Sequence, residues 1–282
     1  MDVIEAHASR LPPIDARWTP RPCSREELVR GLFEGKVAGI AAHPLDNVRG
    51  NIAKLIEGDP DKQFAMTGVA GAFDFEGVLA LVEEAAGEPI DRTARFGPVH
   101  IAAEPILDVC ERIGDRLKLA VERGESVVVA TGHPVGLEIL YSELARLVGD
   151  RGAKLLTPAD GMSWVDPENG HRRQIRYNRG VALLCDRTAP KHTHAGAGME
   201  RILADGRPDL VLADHGFAGA AIEQGIETLS VADVNDPALI VARAQGRTDH
   251  VLVMDDNVDP AAYWPCFQAI AARFDLSPPA GS

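Results

Sequence analysis

Six short apolar runs along the chain each stop on an aspartate or a histidine. Near-continuous apolar runs are typical of strands covered on both faces, as in parallel sheets. The carboxyl ends of parallel strands lie along one edge, so we expect the polar residues there to meet in one crevice. The runs are VAGIAAH ending at His43, SVVVATGH ending at His133, GVALLCD ending at Asp186, LVLADH ending at Asp214 and His215, TLSVAD ending at Asp233, and HVLVMDD ending at Asp255 and Asp256.

Segments with helical spacing alternate with these strands. Between residues 101 and 123 the apolar positions recur every three or four residues, which predicts one long amphipathic helix. Ser24 and Glu27 match a capping box, and Asp236 before Pro237 is predicted to be a helix N-cap. The alternation predicts an α/β fold with a doubly wound, mostly parallel, Rossmann-like sheet. Further helices are predicted over 47–57, 74–86, 137–147, from 198, 218–224, 237–244 and 261–274, and a further strand over 153–158.

One stretch departs from this alternation. Residues 162–182 form two extended segments around a Pro-Glu-Asn-Gly turn, which predicts an antiparallel β-hairpin that lies at the sheet edge or projects beside the crevice. The Pro-rich residues 1–24 predict an N-terminal arm, followed by a helical elaboration, and residues 276–282 predict a disordered tail. No linker separates these parts, so we predict a single α/β domain over residues 1–282.

Composition narrows the classes of function. A net charge of −13 argues against a nucleic-acid partner. No apolar run reaches the roughly 18 residues of a membrane span, so no membrane partner is expected, and the acidic N-terminus is unlike a secretory signal. The four cysteines include no CxxC pair, so we expect Cys110 and Cys185 to be buried thiols in a cytoplasmic protein. The Pro-rich arm suggests a homodimer.

Two strand ends carry residues suited to metal or acid–base chemistry. Asp214 and His215 precede a Gly-rich turn, and such a pair suits a hard divalent metal or a general base with its orienting partner. The adjacent acids Asp255 and Asp256 repel each other unless a cation lies between them, and Asn257 adds a neutral oxygen. The structural alternatives are a helix cap at Asp214 and an Asx turn at residues 255–257.

Three other segments place anion-binding groups at strand ends. Thr131-Gly132-His133 opens a strand–turn–helix unit that is neither a Walker A loop nor GxGxxG. The 191–198 loop carries three basic side chains before a Gly-rich helix start, which favours phosphate binding. Its His-x-His also has the spacing of metal ligands. The structural alternative is a solvated loop. The predicted substrate-binding residues are Thr131, Gly132, His43, Arg49, Lys191, His192, His194 and Gly196, and the predicted catalytic residues are His133, His215 and Asp214.

Four segments of the chain also resemble a known family. ATGHPVGLEILY, DRTAPKHTHAGAGMERIL, LVLADHGFAGAAIEQGIETLSVADVNDPAL and MDDNVDPAAYWPCF are similar to a bacterial, mainly actinobacterial, family of this length labelled phosphatase. The resemblance covers nearly the whole chain and implies a phosphoester substrate and metal-assisted hydrolysis. The layout is more loosely similar to carbohydrate-phosphate phosphatases of the damage-control type, from whose Asp-Asn order the Asp-Asp-Asn here departs. The resemblance points first to Asp214, His215, Asp255, Asp256, His133 and the 191–198 loop.

The hypothesis we favour is a metal-dependent phosphatase that hydrolyses a small phosphorylated metabolite through a metal-activated water. No G-x-S-x-G elbow or H-E-x-x-H helix is present, which disfavours a serine nucleophile and a zincin site. A nucleotide or nucleotide-sugar binding protein or transferase is the second hypothesis. A zinc enzyme using His43, His133, His192, His194 or His215 is the third. In the favoured hypothesis Mg²⁺ or Mn²⁺ is held by Asp214, Asp255, Asp256 and Asn257, the phosphoryl group is bound by His133, Lys191 and His194, and His215 is the acid or base.

Overall fold

The chain alternates between strands and helices, as its apolar pattern predicts. The computed structural model describes residues 17–71, 73–167 and 169–274. A two-stranded sheet is formed by β1 (Gly39–Ile40) and β2 (His100–Ile101). The other strands form a nine-stranded sheet: β3 (Ser126–Thr131), β4 (Lys154–Leu155), β5 (Ser163–Val165), β6 (Arg172–Asn178), β7 (Val181–Asp186), β8 (Ala189–Pro190), β9 (Leu210–Asp214), β10 (Glu227–Ala232) and β11 (His250–Val253).

Helices cover both sides of this sheet, which confirms the predicted doubly wound, Rossmann-like α/β architecture. The Ser24 side chain accepts a hydrogen bond from the Glu27 N–H, as the capping box predicts. The helices are α1 (Arg25–Glu34), α2 (Leu45–Glu57), α3 (Pro60–Gln63), α4 (Phe75–Ala86), α5 (Ala103–Arg123), α6 (Glu138–Gly149), α7 (Ala197–Asp205), α8 (His215–Glu223), α9 (Pro237–Ala244) and α10 (Trp264–Ala271), with a 3₁₀ turn at Pro260–Tyr263.

The order of the strands creates a switch point in the centre of the sheet. The order is β11-β10-β9-β3-β7-β6-β5, with β4 beside the start of β3 and β8 beside the end of β7. Strands β11, β10, β9, β3 and β7 are parallel, and β6 and β5 extend the sheet as an antiparallel edge. From β3 the chain proceeds towards β7, whereas from β9 it proceeds the other way towards β11. A crevice therefore opens at the carboxyl ends of β3 and β9, where ligands bind in open α/β sheets.

The VAGIAAH run is not a strand of the central sheet, so that prediction was wrong. Only β1 forms within it, because Gly39 adopts a φ of +95° and turns the chain away from a continuous strand. The run instead crosses the end of β11. The Asp255 N–H donates to the Val37 carbonyl (3.1 Å), and the Asp255 Oδ2 accepts from the Ala42 N–H (2.6 Å). His43 is thus brought to the same sheet edge by a different route.

The remaining differences concern the ends of elements. The predicted strand over 153–158 is reduced to β4, and the helix predicted from residue 218 begins at His215, directly after β9.

The predicted hairpin is present as β5 and β6. The predicted arm lies outside the described residues up to residue 16, and so does the predicted tail. Within the described ranges, no helix has the length and apolarity required to cross a membrane.

Candidate active site

The Asp214 carboxylate joins the two strands that flank the switch point. Its Oδ1 accepts the Gly132 N–H (2.8 Å) and faces Nδ1 of His215 (2.8 Å). Asp214 is fully buried, and His215 is 3% exposed. His215 has a φ of +46°, in a region that non-glycine residues rarely adopt, because β9 passes directly into α8 at this residue. This backbone turn positions the imidazole over the carboxyl end of the sheet.

Four imidazole rings pack together at this edge. His194 and His215 are parallel, with centroids 5.1 Å apart, and His133 and His215 are nearly parallel at 5.7 Å. The His192 ring lies edge-on to the other three at 4.8 to 5.1 Å. The site therefore combines the strand end at residue 133, the strand end at residue 215 and the His-x-His loop.

Glycines allow the His-x-His loop to approach the switch point closely. A Cβ built on Gly132 would lie 2.5 Å from the Thr193 carbonyl oxygen, and one on Gly216 would lie 2.0 Å from the His194 carbonyl oxygen. The Thr193 N–H donates to the Gly132 carbonyl (2.9 Å) and fixes the loop at this distance. Any side chain at these glycines would push the two histidines of the loop away from His215.

Three imidazoles at the crevice contact a carboxylate through Nδ1. The pairs are His215 with Asp214 (2.8 Å), His194 with Asp61 (2.9 Å) and His43 with Asp233 (2.6 Å). Because a carboxylate only accepts hydrogen bonds, each Nδ1 carries a proton and each Nε2 faces away from its carboxylate. Carboxylates placed in this way commonly orient histidines that bind a metal through the other ring nitrogen.

Three imidazoles of the crevice have the spacing of metal ligands. Ligand atoms of His192, His194 and His215 all lie within 4.8 Å of one another. Asp236 Oδ2 is 3.5 Å from His215 Nε2, which is too far for a good hydrogen bond. It is close to the distance between two ligand atoms of a tetrahedral ion whose metal–ligand bonds are ~2.1 Å long. Asp256 Oδ2 is 3.9 Å from the same nitrogen. The donor set is rich in imidazole, which suits zinc and its neighbours among the transition metals better than magnesium.

A wall of the site that the sequence analysis missed comes from residues 59–66. Lys62, nearly buried, places its ammonium 3.3 Å from Asp61 Oδ2 and 3.9 Å from Asp236 Oδ1. The Phe64 ring packs against His194 and His215, with centroids 5.0 and 5.3 Å away. No local pattern marks these residues as functional, because their partners are far away in sequence.

The environment changes the pKa values of the site in opposite directions. Burial and the neighbouring imidazoles lower the pKa of His133 and bring that of His192 to about 4. Burial alone would lower the pKa of His215, but the Asp214 and Asp236 carboxylates outweigh it and raise that pKa well above its ordinary value. Burial and nearby carboxylates also raise the pKa of Asp256 well above its usual range. The lowered pKa values favour neutral rings at His133 and His192, whereas the carboxylates around His215 favour positive charge on that ring.

Comparison with known proteins shows the family of this chain. The model of a protein family described as Phosphatase matches residues 23–278. The chain belongs to this phosphatase family. Phosphatase SCO2771 of Streptomyces coelicolor is 33% identical over 251 residues, which cover 87% of this chain and 94% of that protein. The predicted resemblance and the predicted enzyme class are therefore confirmed.

Two other predicted site residues of this phosphatase make contacts with groups other than the imidazoles. Both Asp255 oxygens accept backbone N–H groups, from Ala42 and from Asn257 (2.9 Å), so the Asx turn is present. The Arg49 guanidinium lies 4.8 Å from the centre of the Phe75 ring.

Two residues near the His-x-His loop also serve structural contacts. Lys191 is exposed on the loop and donates its N–H to the Leu184 carbonyl. Gly196 allows close packing, because a Cβ there would lie 2.4 Å from the Ala65 Cβ. Asp186, at the end of β7, faces Arg173 and His171 of the hairpin instead of the crevice.

Proposed function

We propose that this phosphatase hydrolyses a small phosphorylated metabolite with the help of a divalent metal held by His192, His194 and His215. The proposal rests on the convergence of these imidazoles at the switch point, two of them oriented by a carboxylate on Nδ1. Bound there, the ion supplies Lewis-acid stabilisation of phosphoryl charge and lowers the pKa of a bound water. This assignment moves His194 and His215 from the phosphate-binding and acid–base roles suggested by sequence to metal ligation.

Two cationic groups beside the carboxylates of the site fit the remaining tasks. The Lys62 ammonium, nearly buried between Asp61 and Asp236, neutralises charge on the transferring group. His43 is partly exposed, and its hydrogen bond to Asp233 raises its pKa despite the opposing effect of burial. A protonated His43 can therefore donate a proton from Nε2 to the leaving oxygen.

The test is hydrolysis of para-nitrophenyl phosphate and a panel of sugar and nucleotide phosphates by chelator-stripped protein, before and after metal is restored. We expect activity only with metal, and a loss of at least 100-fold in kcat/KM for His194→Ala. His171→Ala is the matched control, because His171 also faces a carboxylate through Nδ1 (3.1 Å) but lies on the hairpin. Full activity in the stripped protein or in His194→Ala would refute the proposal. Tight nucleotide binding without product release would favour the second hypothesis.

A further inference from the structure

The buried face of helix α2 contains an amide among aliphatic side chains. Asn51 is 7% exposed, and the other buried residues of this helix are Leu45, Val48, Ile52 and Leu55. A buried amide without hydrogen bonds destabilises a fold, whereas a leucine at the same position would contribute favourable apolar burial. The amide therefore indicates a hydrogen bond that this helix has to make.

That hydrogen bond goes to the loop between β10 and α9. Asn51 Nδ2 donates to the Asn235 carbonyl (2.7 Å), and Asn235 Nδ2 donates to Asn47 Oδ1 (3.1 Å). Asn47 and Asn51 lie about one turn apart on the same side of α2, so both bonds hold the helix against this loop. Asn235 is buried too, and a buried carbonyl that loses its donor destabilises the contact.

The same helix and the same loop carry the two members of the His43–Asp233 pair. His43 comes two residues before α2, and the Pro44 between them has a φ restricted by its ring. Asp233 begins the loop. Its Oδ1 accepts the Val234 N–H (2.6 Å), and its Oδ2 faces His43 Nδ1 (2.6 Å). A displacement of the loop from α2 therefore moves the carboxylate away from the imidazole.

We infer that Asn51 is a positioning residue for the general acid His43. Through the Asn235 carbonyl, Asn51 holds the Asp233 carboxylate on His43 Nδ1, and this contact orients the ring for proton donation from Nε2. The inference rests on the proposed function for the role of His43 as an acid. Because the proton is donated in the transition state, loss of Asn51 should lower kcat and leave KM nearly unchanged.

The test compares two substrates that differ in the leaving group. Phenolate needs a proton more than para-nitrophenolate does, so an acid contributes more to the hydrolysis of phenyl phosphate than to that of para-nitrophenyl phosphate. In Asn51→Leu, the ratio of kcat/KM for phenyl phosphate to that for para-nitrophenyl phosphate should fall about tenfold, through kcat.

Gln268→Leu is the matched control. Gln268 is another buried amide, and its Nε2 in helix α10 donates to the Thr19 carbonyl (2.8 Å). This variant loses the same kind of hydrogen bond and should keep the wild-type ratio. A ratio in Asn51→Leu equal to that in Gln268→Leu would overturn the inference.

A second variant covers the case in which Asn51→Leu does not fold. Asn47 is exposed, and Asn47→Ala removes the acceptor of the Asn235 amide. The ratio should fall in the same direction by a smaller factor, and an unchanged ratio would contradict the inference.

Nuclear magnetic resonance separates the inference from the proposed function. The ring-nitrogen shifts of His43, read through its carbon-bound protons and assigned with His43→Ala, report the hydrogen bond at Nδ1. Asn51→Leu should change these shifts and Gln268→Leu should not, and unchanged shifts in Asn51→Leu would overturn the inference. A wild type that hydrolyses neither phosphate would refute the proposed function, and the shifts would then still decide whether Asn51 positions His43.

Discussion

The contact between α8 and the 59–66 segment can be tested with one methyl group. A Cβ built on Gly219 would lie 1.7 Å from the Phe64 carbonyl oxygen and 3.0 Å from the Phe64 Cβ. In Gly219→Ala the segment must therefore move away, and it carries Asp61 and Lys62 with it. Overpacking of this kind lowers the free energy of unfolding by up to about 3 kcal/mol, and replacing a helical glycine with alanine raises it by about 1 kcal/mol. We expect a net loss of about 2 kcal/mol in the free energy of unfolding.

Gly50→Ala is the matched control, because Gly50 lies in helix α2 and its Cβ would meet no atom within 4 Å. Only the higher helix propensity of alanine acts at this position, so the free energy of unfolding should rise by about 0.5–1 kcal/mol. Urea denaturation followed by circular dichroism measures both values. Gly219→Ala should also bind metal more weakly, because the Asp61 that orients His194 has moved. If Gly219→Ala were as stable as the wild type and bound metal equally well, the close contact and its role in the site would both be wrong.

Two further predictions concern carboxylates. Asp61→Asn removes the charge that orients His194 and should lower metal affinity about 10-fold to 100-fold in a chelator competition, because carboxylates that hydrogen-bond to ligating histidines have effects of this size. Unchanged affinity would show that the pair is only structural. Hydrogen bonds from the Ser126 hydroxyl and N–H lower the pKa of Asp209. The ionised Asp209 side chain therefore stabilises the fold above pH ~4, and this stabilisation is lost as the pH falls through the lowered pKa. The stability difference between wild type and Asp209→Asn should be constant from pH 7 to 5 and shrink below pH ~4 in denaturation curves, and a difference that grows in acid would contradict this sign.

The apolar pattern predicts the central part of the molecule because the physics there is local. Continuous apolar runs become β3, β7, β9, β10 and β11, and the parallel arrangement brings His133, Asp214 and His215 to one edge. The same argument fails for VAGIAAH, where a glycine at positive φ turns the chain before the strand can join the sheet. Apolar composition indicates burial in both cases, and only backbone geometry separates them.

The walls of the site depend on contacts between distant parts of the chain. The Asp61–His194 pair spans 133 residues, and no local pattern connects its members. The sequence also places Asp255 and Asp256 side by side without indicating which one faces the crevice. Successive side chains at a strand end point in opposite directions, and the structure directs Asp255 to the Ala42 backbone and Asp256 to His215.

Asp236 shows how a local rule can hide a residue of the candidate site. Its position before Pro237 predicts an N-cap, yet its side chain makes no capping hydrogen bond. Proline at the first helical position has no N–H to satisfy and already has a helical φ, so α9 can begin without help from a side chain. The Asp236 carboxylate is therefore free to face His215 and Lys62. Where proline already starts a helix at the edge of a crevice, the acid before it is a stronger candidate for the site than for the cap.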